Sequence, residues 1–392
     1  MSIGIKQTIP SIGNKLYNED DMIIKSYNTA GLCGTCYREL PALLEYRDDG
    51  CAYITKTCPD HGYEEAMVEK SWQFLESVPQ LNPNNPTWKA YNNIVMVEVT
   101  DRCNVDCKHC YHRPDNNSKD LPADFIVTKA LSHLESDVCL IGAEPTMRED
   151  LCEIISKIAN STFYKDTPRK ISIYTNGVKL SDMKYVQQLK AAGLSTINMS
   201  IHNPNYHKPK IWKRIAQGIN NVVSSNIDMG QVSFTVENKQ QAEYAIDKIM
   251  WFKKYYRIPF NFCIRSPADI GTELLPEDEI FASDLVNWLT EITAAKKLIF
   301  ARCDNHGSNP YHVAYTLEGM VVQVIHWANV KSLDTRWMNM GPWATFVPNT
   351  KGTFLIQAIL RDGWKKGWWQ GQRLSNEKII SIKPLKKTVD EN

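Results

Sequence analysis

The sequence predicts an α/β fold: a partial (β/α)6 TIM-like barrel that follows a small N-terminal metal-ribbon unit and precedes an irregular C-terminal extension. Three observations predict it. From about Asn93, short apolar stretches alternate with stretches of helical length and pattern. Ahead of them, two groups of cysteine and histidine flank a hairpin pattern. The chain has 392 residues, 43% of them hydrophobic and 23% charged, which is enough to bury a full core.

We expect four segments along the chain: an N-terminal segment, a cysteine-rich metal-binding unit, the barrel, and an extension that packs on the barrel. Their expected bounds are residues 1–26, 27–68, 93–275 and 276–392.

The pattern of the cysteine-rich unit predicts a metal ribbon. A C-x2-C knuckle at Cys33 and Cys36 precedes two predicted strands, residues 42–46 and 52–56. The sequence Asp48-Asp-Gly50 between them is a strong turn signal. Such a hairpin returns the chain to the knuckle, where a metal can replace the core that so small a unit lacks.

Four side chains of this unit are the candidate ligands: Cys33, Cys36, Cys58 and His61. Cys51 lies on the same hairpin and could substitute for one of them. Zinc, a rubredoxin-like iron and an auxiliary iron-sulfur cluster all suit these ligands. A buried cluster of reduced cysteines without metal is the alternative.

The barrel pattern begins with six predicted strands, which cover residues 94–99, 138–141, 170–174, 196–201, 231–236 and 261–264. The predicted helices between them cover residues 125–134, 150–158, 183–192, 210–222 and 240–256. Repeated βα units imply a parallel sheet with right-handed connections, whose functional residues gather at the carboxyl ends of the strands. In the extension, a helix over 279–297 and a hairpin over 315–327 are expected.

Three cysteines follow the first strand with the spacing C-x3-C-x2-C: Cys103, Cys107 and Cys110. Three thiolates on one short loop can hold three corners of a cubane [4Fe-4S] cluster and leave the fourth iron without a protein ligand. A zinc site would more usually add a second C-x2-C or histidines close by. A disulfide framework suits short secreted chains, and chance clustering among 11 cysteines is the remaining alternative.

This spacing resembles the signature of the radical S-adenosylmethionine (SAM) superfamily. The resemblance implies a [4Fe-4S] cluster whose open iron is chelated by the amino and carboxylate groups of SAM. It further implies reductive cleavage of SAM to methionine and a 5'-deoxyadenosyl radical, which abstracts hydrogen from a substrate. Flavodoxin or ferredoxin would be the partner that supplies the electron.

Two further motifs match the superfamily at the ends of the next strands. Gly142, Ala143 and Glu144, before a proline, resemble its Gly-Gly-Glu-Pro element, which receives the SAM amino group; a carboxylate suits an ammonium partner. Alanine at the second glycine position would be strained if that position needs a positive φ. Thr175 and Asn176 begin a turn that looks like the Thr-Asn-Gly turn common in the superfamily. As an alternative, Glu144 could simply start the following helix.

The later strands supply three more expected SAM contacts. Ser200 lies on the fourth strand, where the resemblance implies a polar contact to SAM. Glu237 ends the fifth strand, near the implied ribose or adenine position, and Arg265 ends the sixth, where a guanidinium could clamp a carboxylate or phosphate. An ordinary surface ion pair is the alternative for Arg265.

The N-terminal unit resembles a radical SAM subgroup that includes archaeal tetraether-lipid synthase, but the lipid substrate does not transfer. The function expected is hydrogen abstraction from a substrate that the sequence leaves open. Alternatives are a radical methyltransferase that uses a second SAM and a non-catalytic metal-binding or electron-carrier protein.

Charge and hydropathy limit the classes of partner and the location that we expect. Lys and Arg number 45 against 44 Asp and Glu, a formal charge of +1, so the composition gives no nucleic-acid signal. No stretch approaches the roughly 18 apolar residues of a membrane span. Reduced thiolates favour a cytoplasmic location.

Overall fold

The structure of the protein is a computed structural model. It describes residues 22–36, 38–77, 94–107, 110, 114–131, 137–162, 164–165, 167, 169–202, 209–256, 261–266, 279–293, 298–301, 312–326, 344–347, 369–370 and 383–384. No helix among these residues is both long enough and apolar enough to cross a bilayer.

The N-terminal unit is a four-stranded antiparallel sheet in the order β1-β2-β3-β4, followed by one short helix. Its elements are β1 (Ile23–Leu32), β2 (Glu39–Arg47), β3 (Ala52–Cys58), β4 (Gly62–Glu69) and α1 (Trp72–Ser77). The predicted hairpin corresponds to β2 and β3, and its turn places Gly50 at a φ of 87°, which favours glycine. Its core is small; the buried residues are Leu32, Ala42, Leu44, Tyr46, Ala52, Ile54, Val68 and Leu75.

The main sheet has ten strands in the order β11-β12-β13-β10-β9-β8-β7-β6-β5-β14. Eight of them, from β13 to β14 in this order, run parallel, while β11 and β12 are antiparallel at one edge. The strands are β5 (Ile94–Glu98), β6 (Asp137–Ile141), β7 (Ile171–Thr175), β8 (Thr196–Ser200), β9 (Asp228–Thr235), β10 (Asn261–Arg265), β11 (Leu298–Ala301), β12 (His312–Leu317), β13 (Met320–Ile325) and β14 (Ala344–Val347).

Helices follow the strands as the pattern predicts. They are α2 (Ala123–Leu131), α3 (Leu151–Ala159), α4 (Met183–Ala191), α5 (Pro209–Ser225), α6 (Lys239–Tyr256) and α7 (Ala282–Ile292). A separate two-stranded sheet consists of β15 (Trp369–Gln370) and β16 (Lys383–Pro384). The predicted α/β class, with a partial barrel and an N-terminal ribbon, is confirmed.

The sheet is larger than the six-strand prediction. The hairpin expected in the extension is β12 and β13, and β13 pairs in parallel with β10, so the sheet continues past residue 275. An alternating pattern identifies a strand but not its partner, which explains the difference. Among the described strands, the two outer ones, β11 and β14, do not pair with each other, so the barrel is not closed.

The two faces of the main sheet differ in character. One face carries aliphatic side chains under the helices, for example Val97, Leu140 and Ile173, all fully buried. The opposite face, the inner face, carries polar side chains on the central strands, among them Asn198 and Gln231. Because parallel strands end at one edge, the loops after β5 to β10 meet there.

The ribbon contacts the main unit through Glu69 and Lys70 at the end of β4. The Glu69 carboxylate is fully buried and accepts hydrogen bonds from the backbone N–H of Ser283, at 3.2 Å, and from its hydroxyl. Lys70 donates to Asp284 Oδ2 at 3.0 Å and to the carbonyl of Glu279 at 3.2 Å. Burial raises the pKa of Glu69 to about 7. This contact fixes the ribbon against the start of α7.

Candidate functional site

Four ligand atoms of the ribbon lie together. In the set Cys33, Cys36, Cys58 and His61, every ligand atom is within 4.8 Å of every other. The Cys36 and Cys58 sulfurs are 3.9 Å apart, and His61 Nδ1 lies 3.6 Å from Cys33 Sγ and 3.4 Å from Cys58 Sγ. A tetrahedral zinc with ordinary bond lengths would hold two sulfurs about 3.8 Å apart and a sulfur and a nitrogen about 3.5 Å apart. The spacing therefore suits one metal ion.

Backbone groups also prepare these thiols for a metal. The N–H groups of Thr35 and Cys36 point at Cys33 Sγ, at 3.4 and 3.5 Å. Burial acts to raise the pKa of Cys58, but hydrogen bonds with the backbone N–H of Asp60, the side chain and backbone of His61 and the side chain of Cys33 together outweigh it and lower that pKa to about 6. At Cys58 the thiolate, the form that binds metal, is thus favoured at neutral pH, whereas burial raises the pKa of Cys36.

Cys51 is not brought into this set. It lies at the turn end of the β2–β3 hairpin, where its thiol points at the carbonyl of Lys70 at 3.6 Å. The four-residue set is complete without it.

The cysteine loop follows β5 at the carboxyl edge of the main sheet. Cys103 is buried, while Cys107 and Cys110 are half-buried, and the Cys110 N–H donates to the carbonyl of Cys107 at 2.9 Å. The N–H of Val105 lies 3.5 Å from Cys103 Sγ. Burial raises the pKa of Cys103 and Cys107 to about 12, so metal binding would release their protons.

A returning segment, residues 114–121, holds this loop from outside. Asn116 Oδ1 accepts from the backbone N–H of Cys103 at 3.0 Å. Asp120 accepts from the Thr100 hydroxyl at 2.6 Å and from the Arg102 guanidinium at 2.5 Å. These bonds fix Thr100 and Arg102, which lie just before the first cysteine.

The Gly142-Ala143 turn after β6 closes tightly on the end of β5. Gly142 has a φ of 144°, and a Cβ there would lie 2.4 Å from the carbonyl oxygen of Thr100. The Ala143 N–H donates to that same carbonyl at 3.0 Å. Among the described residues, the non-glycine positions with a positive φ are Asn226 and Glu318, so Ala143 is not strained.

Glu144 joins two of the strand-end turns. Its Oε1 accepts from the Thr146 N–H at 3.1 Å and from the hydroxyls of Thr146 and Thr175, each at 2.6 Å. Its Oε2 accepts from the backbone N–H of Asn176 at 2.7 Å. The side chain is 1% exposed, and burial raises its pKa. It starts the short helix Pro145–Met147, as the alternative interpretation expects, and also ties that helix to the turn after β7.

The turn after β7 reaches the cysteine loop. The Asn176 carboxamide lies 3.7 Å from Cys103 Sγ and donates to Asn104 Oδ1 at 2.8 Å. Gly177, at a φ of 77°, completes the turn. The structure therefore brings Cys103, Glu144, Thr175 and Asn176 into one hydrogen-bonded group.

The other predicted SAM contacts lie farther along the sheet. Ser200 and Arg265 are half-buried on the inner face, and Arg265 Nε donates to Thr235 Oγ1 at 3.4 Å. Glu237 exchanges hydrogen bonds with Gln241 at the start of α6, through its backbone N–H at 2.8 Å and its carboxylate at 3.0 Å. Glu237 thus helps to begin that helix.

The three loop cysteines have the chemistry that a [4Fe-4S] cluster needs. They offer three thiols on one loop, with backbone and carboxamide N–H groups directed at the buried one. Among the described residues, the ribbon set is the one group of cysteine, histidine or acidic residues whose ligand atoms all lie within 4.8 Å. The loop cysteines are spread more widely than a single zinc would require.

Comparison with known families agrees with this geometry. A model of the radical SAM superfamily matches residues 97–248, and a model of the HMPTM N-terminal zinc ribbon domain matches residues 26–70. The chain carries a radical SAM domain. The first match spans the cysteine loop and both strand-end turns, and the second spans the whole ribbon set. The predicted resemblance to a radical SAM subgroup with an N-terminal cysteine-rich unit is confirmed.

Similar curated proteins are enzymes. A 7,8-dihydro-6-hydroxymethylpterin dimethyltransferase of Methanocaldococcus jannaschii is 28% identical over 196 residues, which are 43% of this chain and 38% of that protein. A GTP 3',8-cyclase of Clostridium botulinum is 29% identical over 210 residues, 50% of this chain and 63% of that protein. A probable GTP 3',8-cyclase of Methanococcus maripaludis is 37% identical over 129 residues, 32% of this chain and 40% of that protein. The chain spans less than two thirds of each.

Among solved structures, the chain is similar to Streptococcus suis SuiB bound to its precursor peptide SuiA. The TM-score is 0.39 at 16% identity, over 53% of this chain and 46% of that one.

Sequence reasoning missed several residues that build the candidate site. Arg148 is buried, donates to the carbonyls of Val99 and Leu121, each at 2.8 Å, and pairs with Asp150 through Nε at 2.6 Å. It thereby holds the end of β5 against the segment after the cysteine loop. The polar run from Asp115 to Ser118 was the available signal for the segment, residues 114–121, that holds the cysteine loop, whereas nothing in the sequence marks Arg148.

Proposed function

We propose that the chain is a radical SAM enzyme whose [4Fe-4S] cluster is held by Cys103, Cys107 and Cys110. Bound there, the reduced cluster with SAM supplies the electron that breaks a carbon-sulfur bond, giving methionine and a 5'-deoxyadenosyl radical that abstracts hydrogen from the substrate. The observation that carries the proposal is the radical SAM domain match across a loop with three cysteines at the carboxyl edge of a parallel sheet.

The chain's own residues would position SAM. The backbone of Gly142 and Ala143 lies beside the end of β5, close to the cysteine loop, where a ligand ammonium can be received. Glu144 fixes that turn and retains one acceptor position on Oε2. Thr175 and Ser200, with Glu237 and Arg265 farther along the edge, remain proposed contacts of SAM.

We propose a polar substrate held over the inner face. That face carries the hydrogen-bonded row Tyr174, Gln231 and Gln323, in which Gln231 accepts from Tyr174 at 3.2 Å and donates to Gln323 at 3.0 Å. Such amide and hydroxyl groups would lose hydrogen bonds against a hydrocarbon chain, which disfavours a lipid. The named relatives act on GTP and a hydroxymethylpterin, and both compounds contain a 2-amino-4-oxopyrimidine ring, so these are the first substrates to try.

Anaerobic reconstitution followed by iron counting and analysis of nucleosides tests the proposal. With dithionite and SAM, the wild-type chain should produce 5'-deoxyadenosine, and Cys107→Ala should not. Cys152→Ala, which changes a cysteine on α3 outside the loop, is the matched control and should remain active. The proposal would be refuted if the wild-type protein gave no four-iron signal. It would also be refuted if Cys107→Ala formed as much 5'-deoxyadenosine as Cys152→Ala.

A radical methyltransferase that uses a second SAM is the second candidate. The HMPTM ribbon match and the pterin dimethyltransferase relative favour it. It predicts two nucleoside products in the presence of a hydroxymethylpterin, 5'-deoxyadenosine and S-adenosylhomocysteine. Release of 5'-deoxyadenosine alone would indicate hydrogen abstraction without methyl transfer.

We further propose that the ribbon metal is zinc. The tetrahedral spacing of its ligand atoms and the zinc ribbon match support a single ion in preference to an auxiliary cluster. A cytoplasmic location, with flavodoxin or ferredoxin as electron donor, fits the need for reduced thiols.

A further inference from the structure

Asn176 stands apart from the other predicted SAM contacts because its side chain points at a cluster ligand. Its Nδ2 lies 3.7 Å from Cys103 Sγ and 2.8 Å from Asn104 Oδ1. The residue is 7% exposed, so water competes little for these contacts.

The orientation of this carboxamide is fixed from the other end. Asn176 Oδ1 accepts from the backbone N–H of Val178 at 3.0 Å, a local turn contact typical of asparagine. The Asn176 backbone N–H is held by Glu144 Oε2 at 2.7 Å. Because the carboxamide oxygen is engaged with a donor, the NH2 group must face the cysteine loop.

Two of the loop thiols, those of Cys103 and Cys107, differ in their hydrogen-bond donors. Cys103 Sγ accepts from the backbone N–H of Val105 at 3.5 Å and from the carboxamide of Asn176 at 3.7 Å. Among the described residues, no donor lies within hydrogen-bond distance of Cys107 Sγ. Hydrogen bonds to cluster sulfurs stabilise negative charge, and reduction adds negative charge to the cluster. A donor at Cys103 therefore favours the reduced state.

We propose that Asn176 is a positioning residue of the cluster: its carboxamide donates an N–H···S hydrogen bond to the Cys103 ligand and raises the reduction potential. This inference rests on the proposed function, since it needs a [4Fe-4S] cluster at the loop. It assigns Asn176 a role towards the iron-sulfur group in place of the expected contact with SAM.

Two substitutions of Asn176 remove the N–H donor to Cys103 but keep the turn contact with the Val178 N–H. In Asn176→Ser, the hydroxyl can still accept from the Val178 N–H as serine does in such turns, but it is too short to reach Cys103. In Asn176→Asp, the carboxylate keeps the turn and adds a negative charge beside the sulfur. Asn104→Ala removes the other acceptor of the carboxamide, on an exposed side chain, and leaves the contact with sulfur in place.

The test is an anaerobic redox titration of the full chain with reconstituted cluster, monitored by electron paramagnetic resonance, after iron has been counted for each variant. The midpoint potentials should fall in the order wild type, Asn176→Ser, Asn176→Asp, and Asn104→Ala should titrate with wild type. Equal midpoints in cluster-loaded wild type and Asn176→Ser would overturn the inference and leave the proposed function standing. Absence of a four-iron signal in the wild type would overturn both.

A purely structural role for Asn176 gives a different result. It would lower the iron content of the variants without ordering their midpoints by donor and charge. Should Asn176→Asp fail to load because of charge repulsion, Asn176→Ser alone still decides the matter, since it adds no charge.

Discussion

Glu144 can be interpreted either as a residue that joins two turns of the protein or as a contact of SAM, and the two interpretations make opposite predictions. If the carboxylate serves mainly to join the turns after β6 and β7, then Glu144→Gln should loosen those turns. Gln keeps the size and one carbonyl oxygen, but its NH2 group would face either the Asn176 N–H, now 2.7 Å from Oε2, or the Thr146 N–H, now 3.1 Å from Oε1. Because Oε1 accepts three hydrogen bonds and Oε2 accepts one, the carbonyl oxygen of Gln should keep the Oε1 position, so its NH2 group should oppose the Asn176 N–H in a buried place.

The size of the effect follows from these contacts. Each buried donor without an acceptor costs about 1–3 kcal/mol, so the two opposed donors should cost about 2–6 kcal/mol. At the lower limit, the amide hydrogen of Asn176 should exchange about 30-fold faster, because local opening free energy sets its exchange. Glu149→Gln is the matched control: Glu149 is exposed, and its substitution should change local stability by less than about 0.5 kcal/mol.

Hydrogen exchange measured by mass spectrometry over residues 170–180, together with SAM affinity by calorimetry, checks this prediction. Faster exchange in Glu144→Gln than in Glu149→Gln would support the joining role. Unchanged exchange with weakened SAM binding would refute the reasoning, because the carboxylate would then act on SAM and not on the turns.

Three other predictions concern the ribbon and the turns. Cys36→Ser should lose the roughly one zinc per chain that mass spectrometry should find in wild type, whereas Cys51→Ser should keep it. Gly177→Ala should lower the unfolding midpoint more than Gly50→Ala: both have positive φ, but a Cβ at Gly177 would lie 2.2 Å from a methionine methyl, while nothing lies within 4 Å at Gly50. Because the folded pKa of Glu69 is raised from 4.5 to about 7, the folded state binds a proton that the unfolded state releases, and unfolding free energy should fall between those pH values. The loss should be at most about 3 kcal/mol, and Glu69→Gln should remove this slope from denaturation curves measured at pH 5 and pH 8.

The sequence predicts the elements of this fold better than their partners. The six strands from Ile94 to Arg265 and the helices between them were found because apolar runs and helical periodicity are local signals. The pairing of β13 with β10 is a contact between distant segments, and no local pattern specifies it. The first and last ribbon strands, β1 and β4, were missed for a related reason, since the expected hairpin already explained how Cys58 and His61 return to the knuckle.

The candidate site shows the same division. Spacing alone located Cys103, Cys107 and Cys110, because three ligands on one loop form a local pattern. The side chains that hold this loop, Asn116, Asp120 and Arg148, act through contacts between segments, so no local pattern specifies their role beyond the polar run that contains Asn116. Motif reasoning likewise expected contacts with SAM at Glu144, without the contacts that it makes within the protein.

The turn after β6 explains how this chain can depart from the Gly-Gly pattern of the superfamily. Of positions 142 and 143, only position 142 requires glycine, because there the φ is 144° and the carbonyl of Thr100 leaves no room for a Cβ. Ala143 keeps a negative φ and uses only its N–H, which donates to that same carbonyl, so a methyl group costs the turn nothing. Gly142→Ala should therefore disrupt the turn, whereas Ala143→Gly should leave SAM affinity within about twofold of wild type or weaken it slightly, since glycine adds backbone freedom to the unfolded chain. Tighter SAM binding in Ala143→Gly, measured by calorimetry, would show instead that the methyl group obstructs the ligand.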